Sequence, residues 1–128
     1  MYEKILVGTD GSATAAQAVR KAIELARISD AALDVVTVRG ADQSEESAKQ
    51  LLEPATAEAR GAGLKAVNGL VRGGDPSEAL VSAAEQRGSD LLVVGNKGMT
   101  GTKRFLLGSV PDKISHHAPC AVLIVQTS

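Results

Sequence analysis

Aromatic residues are nearly missing from this chain: Tyr2 and Phe105 are the whole set, and there is no tryptophan. A core must therefore come from Val, Leu, Ile and Ala. The interleaved aromatic platforms on which single-stranded bases stack are also missing. Cysteine is equally scarce. Cys120 stands alone, which excludes an internal disulfide and fits a reducing compartment. There is no excess of one charge. Fourteen Lys and Arg balance fifteen Asp and Glu, for a net charge of −1. No global field then draws the protein to nucleic acid or to an anionic membrane. No apolar run is long enough to cross a bilayer. The opening MYEKILVGTD lacks the basic start and apolar middle of a signal peptide. The expectation is a cytoplasmic protein, and 128 residues suit one domain over 1–128.

What the chain does have is short apolar runs. ILV at 5–7, LLVV at 91–94 and AVLIV at Ala121–Val125 are rich in branched residues and do not alternate with polar ones. Such runs read as strands covered on both faces, the central strands of a parallel sheet. LDVVTV at 33–38 is a fourth strand. LKAVNGLV at 64–71 is more polar and reads as an edge strand.

Helical patterns fill the gaps. Ala15, Val19, Ala22, Ile23 and Ala26 recur at helical spacing and form one apolar stripe. Residues 43–60 also read as helix, but Pro54 removes an amide and clashes with the carbonyl of Gln50, which predicts a kink or two shorter pieces. DPSE at 75–78 is a helix start, with Asp75 as cap, Pro76 in the first turn and Glu78 completing a capping box; the helix ends near Gly88. A short last helix opens at Ser109, a natural cap, with Pro111 tolerated in its first turn. The order β-α-β-α-β-α-β-loop-α-β gives an α/β fold: a parallel sheet with helices on both faces.

In open parallel sheets ligands bind beyond the carboxyl ends of the strands, where strand order reverses. Two segments leave strands at such ends: GTDGS at 8–12 and VVGNKGMTGTKRFLLGS at 93–109. The second carries four glycines, three basic residues and no acid. Gly95 and Gly98 let backbone amides approach a ligand unhindered. Gly108 and Ser109 open a helix whose first amides favour negative charge. Lys97, Lys103 and Arg104 can add charge. The segment reads as a polyphosphate cradle, against the plainer alternative of a glycine-rich connection with solvated lysines. Neither the dinucleotide G-x-G-x-x-G nor the P-loop pattern occurs. Asp10 is either a ligand-facing carboxylate or the cap of the following helix. His116 and His117 are adjacent and face different ways on a helix, so a shared metal is not expected. Cys120, with no activating cation in view, reads as packing. No nucleophile elbow, zinc-protease motif or cysteine–histidine pair appears. No catalytic residue is assigned: the chain offers positioning of a phosphate without a clear catalytic base.

Gly95-x-x-Gly98, nine further residues and then Gly108-Ser109 match the G-2x-G-9x-G-[S/T] signature. With the opening KILVGTDGS and the closing GSVPDKISHHAPCAVLIV, the chain resembles the universal stress protein family, in its ATP-binding branch, over nearly its whole length. The resemblance implies a three-layer, Rossmann-like fold of the adenine nucleotide alpha hydrolase type. Its open twisted sheet has five parallel strands in order 3-2-1-4-5, with four helices on two faces. It implies ATP as ligand, with Mg2+ or Mn2+ reached through water from Asp10 in some members. Asp10 would lie near the ribose and phosphates, and Gly8 and Thr9 would touch the nucleotide. Some members have proline where Gly8 stands, so the backbone there can differ. Val38 would meet the adenine edge through its main chain. Histidine is frequent where Thr37 stands, which leaves a backbone contact unaffected. Gly95 and Gly98 would pass close to ribose and phosphates, while Gly108, Ser109 and Val110 would hold phosphate by their amides. The family also implies a nucleotide-dependent regulator in a stress response, paired as a homodimer through Ala121–Val125. Cyclic AMP or AMP, or no nucleotide at all, are the alternatives among its members.

Overall fold

The computed structural model describes residues 2–96 and 109–126. The elements run β1 (Lys4–Gly8), α1 (Ala13–Ser29), β2 (Ala32–Arg39), α2 (Glu45–Gly61), β3 (Val67–Gly73), α3 (Pro76–Arg87), β4 (Leu91–Gly95), α4 (Ser109–His117) and β5 (Ala121–Val125). The five strands form one sheet in the order β3-β2-β1-β4-β5, and every pairing is parallel. Order and direction match the expectation.

The handedness of parallel crossovers fixes where the helices go. The chain builds β1, β2 and β3 in one direction, so α1 and α2 share a face. It then crosses back to β4 and continues outward to β5, so α3 and α4 share the other. Two apolar clusters reflect this. Ile5, Val7, Leu33, Val35 and Val93 meet Val19, Ile23 and Leu52 on the first face. Leu6, Val36, Leu92 and Val94 meet Leu80, Val110 and Ile114 on the second. Alternate residues of β1 serve opposite clusters, which is why its run is apolar throughout.

The helix ends are written locally. Ser12 caps α1, its hydroxyl accepting from the Ala15 amide at 3.1 Å. Asp75 accepts from the Glu78 amide at 3.1 Å, Pro76 opens α3, and Gly88 closes it in the left-handed region at φ 69°. The expected start and stop of α3 are both met.

Three expectations need correction. α2 runs unbroken from Glu45 to Gly61, so of the kink or two shorter pieces expected at Pro54 the break into two is absent. Pro54 and Gln50 are both exposed, so the carbonyl the proline strips of its donor is on the wet side. Ala48, Leu52, Thr56 and Ala59 hold both halves of the helix down. Second, the edge strand begins at Val67, not residue 64, and runs to Gly73. Third, AVLIV is not central. Among the described residues β5 pairs only with β4, and its residues are half-buried or exposed.

One buried charge crosses the second face. Asp34 of β2 is buried. Arg87, the last residue of α3, grips it from both guanidinium arms: Nε to Oδ2 at 3.0 Å and Nη2 to Oδ1 at 3.2 Å. Asn68, its register partner on β3, donates to Oδ1 at 3.1 Å. Such a carboxylate is tolerable only because all these bonds are made.

Candidate functional site

The order of strands reverses between β1 and β4. These two are hydrogen-bonded neighbours, with Val7 opposite Val93. The segments that leave them therefore emerge side by side at the carboxyl end of the sheet, where an α/β fold opens its crevice.

The β1 exit is rigidly built. The Thr9 amide donates to the Val36 carbonyl at 2.9 Å, carrying the β1–β2 pairing one residue past the strand. Thr9 is buried, and its hydroxyl accepts from the Gly11 amide at 3.0 Å. Asp10 Oδ1 accepts from the Ser12 amide at 2.9 Å. Gly11 turns the chain at φ +82°, where an added Cβ would lie 2.8 Å from Leu51 Cγ. Only glycine combines that backbone with that clearance. Two side-chain-to-backbone bonds thus fix the turn, and the next residue starts α1.

The cap of α1 is Ser12, so Asp10 is not needed for that purpose. Its second oxygen, Oδ2, is buried and has no hydrogen-bond partner among the described residues. An unsatisfied buried polar atom costs about 1–3 kcal/mol. An arriving donor would remove that cost.

The remaining positions lie on several elements. Gly8 ends β1 and is buried; a Cβ there would lie 3.0 Å from Leu80 Cδ1, so packing against α3 accounts for this glycine. Val38, half-buried, lies near the end of β2, opposite Arg72 of β3. Gly95 is the last residue of β4, opposite Val125, and the Asn96 amide donates to the Val125 carbonyl at 3.0 Å. Ser109 begins α4, and buried Val110 and Ile114 anchor that helix against Leu80 and Val94. The fold thus gathers Gly8, Thr9, Asp10 and Gly95 at adjoining strand ends, with Val38 on the next strand. Gly98 and Gly108 lie outside the described residues, as do Lys97, Lys103 and Arg104. The roles of Thr9, Leu51 and Leu80 in shaping this end were missed from the sequence, where nothing local marks them.

The other singled-out side chains lie elsewhere. His116 reaches Asp112 on its own helix at 3.7 Å. No group of three or more metal-capable side chains occurs among the described residues. Cys120 is half-buried; burial, and then the charge of Asp90, push its thiol up, away from the reactive thiolate. No helix among the described residues is long and apolar enough to cross a membrane.

Comparison with known proteins bears on this geometry. The profile of the Universal stress protein family matches residues 1–126. A Staphylococcus epidermidis protein named as a universal stress protein is 33% identical over 141 residues, covering 98% of this chain and 85% of its own length. Among solved structures, a universal stress protein in complex with cAMP is 36% identical with a TM-score of 0.84, over 99% of this chain and 98% of the other. A universal stress protein from Archaeoglobus fulgidus in complex with dAMP is 28% identical with a TM-score of 0.75, over 98% of each. The chain belongs to the universal stress protein family.

Proposed function

We propose that this protein binds an adenine nucleotide beyond the carboxyl ends of β1 and β4. In this reading ATP is the ligand, and the loaded state acts as a switch in a stress response. The single observation that carries it is the buried, unpartnered Oδ2 of Asp10 at the strand-order reversal. A carboxylate so held is set to accept from a sugar hydroxyl or from water on a divalent ion. Mg2+ or Mn2+ beside the phosphates fits that chemistry and would supply charge neutralisation. Gly8 and Thr9 border the nucleotide, and Val38 meets the base through its backbone. Gly95, Gly98, Gly108, Ser109 and Val110 offer amides to ribose and phosphate. The described residues around Asp10 include no general base paired with a nucleophile, so binding rather than turnover is the proposed activity. The protein is proposed to work in the cytoplasm as a homodimer paired through β5.

Native mass spectrometry of the purified protein, with identification of any small molecule released on denaturation, tests this. Bound ATP supports the reading. Protein that stays empty after incubation with ATP and magnesium overturns it. A second reading, that cAMP or AMP is the preferred ligand, is favoured by the cAMP complex of the 36% identical relative. Competition among ATP, AMP and cAMP separates the two.

A further inference from the structure

The sheet has two free edges, β3 and β5, and they are finished differently. In a parallel pair each residue turns its amide and carbonyl to the same side, and successive residues alternate. The Leu33 amide takes the Ala66 carbonyl at 2.9 Å. Residues 66, 68, 70 and 72 therefore face β2, while Val67, Gly69, Val71 and Gly73 face outward. Two of those four outward carbonyls are occupied by arginines. Arg60, from the last turn of α2, donates from Nη2 to the Val67 carbonyl at 3.3 Å. Arg72 folds back to donate from Nη1 to the Val71 carbonyl at 3.2 Å. The outward carbonyls of Gly69 and Gly73 carry no such contact among the described residues. The β5 edge is written otherwise. AVLIV carries no charge, and Ile124 is 42% exposed.

We propose that Arg60 and Arg72 close the β3 edge to strand pairing, so that this chain can associate through one sheet edge only. An open edge is a template for another strand. A guanidinium bonded to an outward carbonyl occupies the acceptor an incoming amide needs. It also places a charge that the incoming strand would have to desolvate. The consequence is stoichiometry. Pairing through one edge about a two-fold axis closes at two copies, whereas pairing through two edges runs on without end. This inference does not depend on the nucleotide.

Sedimentation velocity of the full chain over a concentration series tests it, comparing the native protein with Arg72→Ala and with Arg60→Ala/Arg72→Ala. The native protein should reach a mass plateau. The double variant should exceed it, to at least roughly twice the plateau mass, because each newly opened edge joins one closed unit to another. Arg72 bonds only its own strand neighbour among the described residues, so Arg72→Ala should fold and show a smaller increase in mass. Circular dichroism checks the fold of each. If the double variant does not fold, Arg72→Ala alone decides. Unchanged sedimentation in every folded variant overturns the proposal.

Discussion

Replacing Asp10 by alanine should separate stability from binding. The change removes one bond, from the Ser12 amide to Oδ1 at 2.9 Å. A bond to a charged acceptor contributes about 1.5–3 kcal/mol. It also removes Oδ2, buried without a partner, whose relief returns about 1–3 kcal/mol. The two nearly cancel. Ligand-free stability should shift by no more than about 1 kcal/mol, or roughly 5 °C in Tm for a chain of this size. Binding has no such offset. Losing one charge-assisted bond to the nucleotide should weaken it roughly 10- to 150-fold. At a nucleotide concentration about 100 times the native Kd, ligand adds about 2.7 kcal/mol to the native protein but only about 0.4 kcal/mol to a variant bound 100-fold more weakly. Urea unfolding of both proteins, with and without ATP, reads all four quantities. If Asp10→Ala loses more than about 2 kcal/mol without ligand yet keeps the full ATP increment, Asp10 is a structural residue and the reasoning fails.

Three further outcomes follow from the packing. Arg87→Ala leaves Asp34 with only the Asn68 bond; because Arg87 is 38% exposed, the loss should be about 1–3 kcal/mol rather than the full cost of an orphaned buried charge. A double-mutant cycle with Asp34→Asn should show coupling, and strict additivity would refute the clamp. Asp75→Ala removes the α3 cap and should cost about 1 kcal/mol near neutral pH. The Ser77 hydroxyl, then the Glu78 amide, hold the Asp75 carboxyl below its ordinary 3.8. Its stabilisation is therefore complete above 3.8 and lost as pH falls through the lowered value, so variant and native midpoints should converge in acid; a gap that persists there would exclude this cause. Gly8→Val drives a side chain into Leu80, 3.0 Å from the first added atom, and should cost about 1–3 kcal/mol in thermal unfolding; an unchanged melt would show that Leu80 does not dictate this glycine.

Much of the architecture could be read along the chain because it is written locally. ILV and LLVV announced β1 and β4, both buried on two faces. DPSE and Gly88 bracketed α3 to the residue. AVLIV misled because apolarity records how much of a strand is covered by something, not where in the sheet it stands. Pro54 misled because the cost of a helical proline depends on whether its freed carbonyl meets water, which sequence does not say. The Asp34 clamp was unreadable: Arg87 lies 53 residues away, joined by a crossover no local pattern records. At the candidate site, GTDGS was legible as the segment that leaves β1 at the carboxyl end of the sheet. That Ser12 rather than Asp10 caps α1 needed the atoms, since both are good caps and only geometry shows which one turns toward α1.

Titration calorimetry of the full chain with ATP and magnesium puts the account to its plainest trial. It predicts saturable binding of one nucleotide per chain, displaced by other adenine nucleotides and weakened by Asp10→Ala. Native protein that releases no heat and gains no thermal stability with ATP, AMP or cAMP would contradict it.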